Sequence, residues 1–285
     1  MTTRFVFWDV QHGNATYIST PSGKHLSIDL GTGKLGNGNT NFSPLQCLKN
    51  QWGVSRLDGV IVTHPHKDHL DDIFEFDALQ PRMLHRPSHL TEEEIRANNR
   101  GDLAVVNKYL EINRRYNQPI DASDHPFKPG NNGGVEIQTY IPSSCPTSNL
   151  NNHSAVAVIS YADSKILIPG DNESPSWKEL LARQDFRNAI AGTDILLASH
   201  HGREAGFSKE LFDHITPRLV IISDGPSGST SVTNSYAANA QGWKVHKRSG
   251  GSEQRKCVTT RKDGVVVVDF GRNQDGNPFI SVKVD

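Results

Sequence analysis

The chain has 285 residues, with 30 Lys and Arg against 31 Asp and Glu and a formal net charge of −1. A near-neutral protein exerts no global pull on nucleic acid or an anionic membrane, so any such binding must come from a local patch. With 35% hydrophobic and 21% charged residues the composition excludes a disordered chain, and no apolar run approaches the ~20 residues of a spanning helix.

The start, MTTRFVFWDVQHGN, meets Asp9 after a short apolar stretch and does not read as a signal peptide. Cys47, Cys145 and Cys257 are far apart and form no CxxC pair. A reducing, cytoplasmic setting without disulfides is expected. RFVFWDV and ATYISTP predict a hairpin around QHGN, and GKHLSIDLG turns into a third strand. GTGKLGNGNTNFSP predicts a loop, PLQCLKNQW a short helix, and LDGVIVTH a buried strand. HLDDIFEF predicts a helix start with acids in its first turn. Over 91–116, Thr91 and Glu94 have capping-box spacing and Gly101 marks a break. GGVEIQTYIPSS predicts a strand, and HSAVAVISYADSKILIPGD a hairpin around Ala162 and Asp163. DILLASH and PRLVIISDG predict two more buried strands. Residues 232–243 predict a helix, KVHKRSGGSEQRK a basic Gly-rich loop, and CVTTRKDGVVVVDFG a hairpin turning at Lys262-Asp263-Gly264. Strands dominate both ends and helices lie between them. The expected fold is one α/β domain over 1–285, two mixed sheets packed together with helices outside. The stretch at about 77–131 is expected to be helical and able to cap a cleft.

Polar residues stand where buried strands end. Asp29 follows SIDLG, His64 follows VIVT, Asp171 follows ILIPG, and His200 and His201 follow LLAS. Each alone reads as a loop residue or a satisfied core histidine. The run His64, His66, Asp68, His69 is harder to explain that way, because ligand-type groups crowded on one turn desolvate one another unless a cation binds them. Imidazole and carboxylate suit a borderline divalent ion, zinc or manganese. His64 and His66 can reach one ion, and Asp68 and His69 a second, with further ligands from elsewhere in the chain.

THPHKDH matches the HxHxDH signature of the metallo-β-lactamase superfamily. FWDVQHGNATYISTPSGKHLSIDLG, NNHSAVAVISYADSKILIPGD, DILLASHHGREAG and TTRKDGVVVVDFG resemble, in order, the soluble domain of ComEC-type competence proteins. The resemblance runs from residue 5 to about 271. It implies the superfamily's αββα sandwich and two divalent ions, zinc or manganese. It implies His64, His66 and His153 on the first ion, Asp68 and His69 on the second, and Asp171 bridging. The last histidine corresponds to His200 or His201, and His200 is preferred because it ends the strand. Asp29 corresponds to an acid that orients the cluster.

The chain also departs from that pattern. Asp71 and Asp72 replace a Gly-Gly, and Asp72 is read as a partner of a ligand imidazole or as part of a helix first turn. QHGN replaces GQGD, putting Asn14 where an acid stands and His12 near the metal edge. His12 is read as a substrate contact or proton donor, and Asp68 as able to hold a water's proton. The constellation fits a metal-dependent hydrolase, with phosphodiester bonds of nucleic acid or a small or cyclic nucleotide favoured. A carbonyl hydrolase of lactones, thioesters or β-lactams is the alternative, and a non-catalytic binding module the third reading. The lean toward phosphate rests on the competence-protein resemblance and on the basic tract at 244–262. There Lys247 and Arg248 are expected, with His201, to meet substrate.

Overall fold

The computed structural model describes residues 1–33, 42–225 and 231–285. The loop expected after Asp29 falls mostly on 34–41, outside the described residues. The chain opens with β1 (Thr2–Phe7), β2 (Thr16–Ser19) and β3 (His25–Ile28), then α1 (Pro44–Asn50), β4 (Gly59–Ile61) and β5 (Leu84–His85). Next come α2 (Glu92–Asn98), α3 (Leu103–Arg115), β6 (Glu136–Tyr140), β7 (Val156–Tyr161) and β8 (Ser164–Ile168). They are followed by α4 (Ser174–Ala182), α5 (Gln184–Ile190), β9 (Ile195–Leu197), β10 (Leu219–Ile222) and α6 (Thr233–Ala238). The last part holds β11 (Trp243–Lys247), β12 (Ser252–Arg255), β13 (Cys257–Thr259), α7 (Thr260–Asp263), β14 (Val266–Arg272) and β15 (Pro278–Val284).

The strands make two mixed sheets. One has nine strands in the order β12-β11-β15-β14-β1-β2-β3-β4-β5, the other six in the order β13-β10-β9-β8-β7-β6. Side chains alternate across each strand, so one face of each sheet meets the other sheet. Phe5, Phe7, Ile18 and Ile28 from the first sheet pack with Ile159, Ile166, Ile195 and Ile221 from the second. The intervening residues point outward and are buried under helices. Val6, Tyr17, Val60 and Val62 lie with Leu45, Val106, Tyr109 and Leu110. Val158, Leu167, Leu196 and Val220 lie with Trp177, Leu180, Phe186 and Tyr236. The central strands are therefore dry on both faces, which explains their near-continuous apolar runs, while β6, β11, β12 and β15 keep exposed positions. This is the expected sandwich, with helices outside two packed sheets.

The expected capping box is present at α2, with Thr91 and Glu94 each satisfying the other's amide. Ala162 and Asp163 form the β7–β8 turn with φ of 50° and 59°, as a tight hairpin requires. Other expectations need correction. The stretch read as a basic loop is the β11–β12 hairpin. The closing segment is no hairpin: β13 pairs in parallel with β10 in one sheet and β14 pairs with β1 in the other, with α7 carrying the chain across. The helix expected over 232–243 ends at Ala238. HLDDIFEF forms 3-10 turns at Lys67–His69 and Ile73–Leu79. The 77–131 insertion is mostly the helical layer over the nine-stranded sheet, because α2 and α3 bury Ile95, Val105 and Leu110 there.

Asp72 does not reach an imidazole. Its carboxylate accepts from the Ser43 hydroxyl at 2.6 Å and from the Leu45 amide at 2.8 Å. Leu45 is in the first turn of α1, where helix amides lack internal partners, while Ser43 caps the Gln46 amide. Asp72→Ala strips two bonds from a buried site and should lower stability by about 1–3 kcal/mol in urea unfolding. Burial pushes the Asp72 carboxyl up to about 7, against the pull of the Ser43 and Leu45 donors. A carboxyl raised above its unfolded value binds a proton more tightly when folded. That increment is full at low pH and is lost as pH rises through about 7. The stability difference between wild type and Asp72→Asn should therefore change between pH 4 and pH 8 in wild type's disfavour; a flat difference would refute this.

Candidate metal centre

Strand ends β3, β4, β8 and β9 meet at one edge of the sandwich. Asp29 follows β3 and is fully buried, with φ of 59°. Its carboxylate accepts from the Thr63 amide at 2.7 Å, the Thr63 hydroxyl at 2.9 Å and the Asn14 side-chain amide at 3.0 Å. His69 Nδ1 lies 2.7 Å from the same carboxylate. Donation by Nδ1–H to Asp29 leaves His69 Nε2 bare and aimed at the site, the usual orientation of a metal-ligating imidazole. His201 is arranged alike: Nδ1 faces the Ser223 carbonyl at 3.1 Å and Nε2 faces inward.

Asp68, His69, Asp171 and His201 each offer a ligand atom within 4.8 Å of the others. His201 Nε2 lies 3.3 Å from His69 Nε2, 3.2 Å from Asp68 Oδ2 and 3.3 Å from Asp171 Oδ2. His69 Nε2 lies 3.3 Å from Asp171 Oδ1 and 3.8 Å from Asp68 Oδ2. A tetrahedron with ~2.1 Å metal–ligand bonds has edges of ~3.4 Å, so the donor set and its spacing fit one small divalent cation. The electrostatics agree. Burial works against charge on His69, but Asp171, Asp29 and Asp68 hold its pKa well above the ordinary value. Burial likewise opposes charge on His201, yet Asp171 and Asp68 raise it to about 9. Asp171 is held well below the usual range by His201 and His69 in spite of burial. Asp68 is lowered by His69 and His201, again against burial. The pocket wants positive charge.

The geometry brings His201 into this group, whereas the preferred sequence reading was His200. His200 Nε2 stands 3.9 Å from Asp171, and its Nδ1 is turned to Glu173 at 3.3 Å. The cause is the backbone: His200 and His201 both have positive φ, 49° and 52°, so the second imidazole swings in where an extended chain would aim the first. His64, His66 and His153 do not join a second cluster of this kind among the described residues. His64 Nε2 lies 3.1 Å from His66 Nδ1. Burial, then neighbouring His69 and His66, lowers the His64 pKa, and burial lowers that of His66. Both are thus kept neutral. His153 is fully buried, with Nδ1 2.9 Å from His89 Nε2 and its own Nε2 unpartnered. A bare buried nitrogen is costly unless something occupies it.

Over these groups opens a cavity of about 440 Å³ lined by His12, His66, Lys67, Asp68, Asp171 and Arg203, among others. His12 Nε2 is 3.5 Å from Asp68 Oδ2, and its ring lies 4.7 Å from that of His201. Asp71 also lines the cavity, its carboxyl raised by burial. Lys247 and Arg248 do not line it; they pair with Glu253 at 3.4 Å and Asp285 at 2.6 Å. Sequence reasoning missed three groups: Arg203, His89 and the Ser223 carbonyl. Arg203 directly follows His-His-Gly and was open to notice; the other two carry no sequence signal.

No protein-family model matches the chain, and no curated protein matches it. Among solved structures 80 chains match. YhfI of Bacillus subtilis, a metallo-β-lactamase fold protein, is 14% identical with a TM-score of 0.37, over 70% of this chain and 71% of its own. The long form of RNase Z from yeast is 11% identical with a TM-score of 0.47, over 98% of this chain and 48% of its own. CmlA, a diiron β-hydroxylase from Streptomyces venezuelae, is 15% identical with a TM-score of 0.44, over 80% and 45%. The chain thus spans about half the length of the last two.

Asp29 satisfies four donors at once. Asp29→Ala should cost about 3–5 kcal/mol in denaturant unfolding, because it leaves buried donors and the His69 imidazole without their acceptor. A loss under 1 kcal/mol would contradict that role.

Proposed function

We propose that this chain is a metal-dependent hydrolase and that phosphodiesters are its substrates. The observation that carries the reading is the convergence of Asp68, His69, Asp171 and His201, with Asp68 and Asp171 lining an open cavity. We assign these four to one ion. His64, His66 and His153 we assign as the residues that would hold a second ion, with Asp171 able to serve both. The bare His153 Nε2 and the neutral His64 and His66 support that assignment.

Divalent cations held there would lower the pKa of a bound water toward neutrality and neutralise charge on substrate oxygens. The chain's own residues do the rest. Asp29 and the Ser223 carbonyl fix the tautomers of His69 and His201. Asp68 presents Oδ2 to the cavity, where it can hold a proton taken from water. His12, at 3.5 Å from that oxygen and at the cavity mouth, is placed to pass a proton to a leaving group.

The phosphodiester preference rests on the competence-protein resemblance and on Arg203 in the cavity wall. The 244–262 tract no longer supports it, since Lys247, Arg248, Arg255 and Arg261 all face carboxylates. A cavity of this size suits a nucleotide or a short single-stranded end of nucleic acid. Among the described residues no helix is long and apolar enough to cross a membrane. A cytoplasmic site of action is part of the proposal, in keeping with three free cysteines.

The test is to measure bound metal, then assay the zinc- or manganese-loaded protein on bis-p-nitrophenyl phosphate, single-stranded DNA, cyclic nucleotides and a lactone panel. Phosphodiester turnover that chelation abolishes is expected. Turnover of lactones alone would replace this reading with a carbonyl hydrolase, and no turnover with intact metal would favour a binding module. His201→Ala should lose metal and activity, while His200→Ala should keep most of its metal. The reverse pattern would move the ligand role to His200.

A further inference from the structure

Among the described residues the cavity wall carries two permanent cations, Lys67 and Arg203. Lys67 is engaged, at 3.2 Å from Asp102. Arg203 is not. Among the described residues no carboxylate pairs with it, and the stretches 34–41 and 226–230 contain no Asp or Glu. Its guanidinium lies instead against the His12 ring, with Nη2 3.3 Å from Nε2 and 3.4 Å from Nδ1. A cation against an imidazole edge gains little. It remains the one guanidinium in the cavity free to take an anion.

The backbone that delivers it is held firmly. The Arg203 amide donates to the His200 carbonyl at 2.9 Å, and Arg203 bridges to Ser231. Gly202 before it has φ of 72°, and a Cβ there would meet the Ile222 side chain at 2.8 Å. The turn that swings His201 into the metal cluster therefore also sets the direction of Arg203. His12 completes the wall, standing between Arg203 and Asp68.

We propose that Arg203, backed by His12, is an anion subsite that holds a non-bridging oxygen of a phosphate ester. This rests on the hydrolase reading above and names the substrate class within it. A guanidinium offers paired donors that match two phosphate oxygens, and it stays charged at every working pH. A neutral lactone or ester carbonyl has no such charge to offer. The ring contact with His12 is the resting position, and the guanidinium leaves it to pair with the incoming phosphate.

The experiment compares zinc-loaded wild type with Arg203→Ala, Arg203→Gln and Arg203→Lys. Binding of dimethyl phosphate and of inorganic phosphate is measured by titration calorimetry, and zinc content is measured alongside. Both alanine and glutamine variants should bind about tenfold or more weakly, the lysine variant should recover part of the loss, and zinc content should not change. For bis-p-nitrophenyl phosphate, KM should rise more than kcat falls, and turnover of the neutral p-nitrophenyl acetate should be untouched. Glutamine covers the case in which alanine impairs folding. Unchanged phosphate affinity in a variant that keeps its zinc would overturn the subsite, as would an equal loss on neutral and anionic substrates. If the wild type binds phosphate through Arg203 yet cleaves no phosphodiester, the reaction assigned above fails while the subsite stands.

Discussion

The site depends on one buried carboxylate. Asp29 sits in a left-handed conformation at the end of β3 and is fully enclosed. Its amide donates to the Ile61 carbonyl, which extends the parallel pairing with β4 by one step. Its two oxygens then bind Thr63, two residues past β4, the turn before β2, and His69. A buried charge is tolerated only when its lone pairs are filled. Here the filling donors are the segments that must be placed, so the cost of burial is offset by bonds that also set the site's geometry. Asn14 belongs to this arrangement. An acid at 14 would set a second carboxylate about 3 Å from Asp29; the amide turns that contact into a donor.

The same logic shapes the opposite side of the cluster. Gly13 precedes Asn14 with φ of 145°, and a Cβ there would stand 2.4 Å from the Asp68 carbonyl. The first loop of the chain therefore packs directly on the 64–69 turn, and Ser223 ties in by donating to the Gly13 carbonyl at 2.7 Å. Through the Ser223 carbonyl this reaches His201. Loops 12–14, 64–69 and 200–203 thus form one connected body at the edge of two sheets.

Much of this was legible in the sequence because it is local. HPHKDH is unusual on its face, and the strands before it and before Asp171 and His201 are marked by apolar runs that end in polar groups. The sandwich was legible because its central strands are dry on both faces. What escaped depends on backbone sign or on distant partners. No pattern tells that His200 and His201 both adopt positive φ, so the rule that the first residue past a strand faces the site selected the wrong imidazole for the convergent group. Lys247 and Arg248 look free in sequence because Asp285 and the cross-strand geometry that brings Glu253 alongside are not visible there. Asp71 and Asp72 look equivalent, yet one lines the cavity and the other caps α1.

The charge state of the centre follows from the same enclosure. Two acids and two imidazoles share a few ångströms of buried space, and the acids favour the charged forms of His69 and His201. A protonated imidazole cannot ligate a metal. Cation and protons therefore compete for one pocket, and loading it must expel protons from groups that the carboxylates favour in charged form. Metal affinity should then climb with pH until His201 loses its proton near 9. Positive charge beside them, on His69 and His201, is what holds Asp68 and Asp171 below the usual carboxylate range in spite of burial.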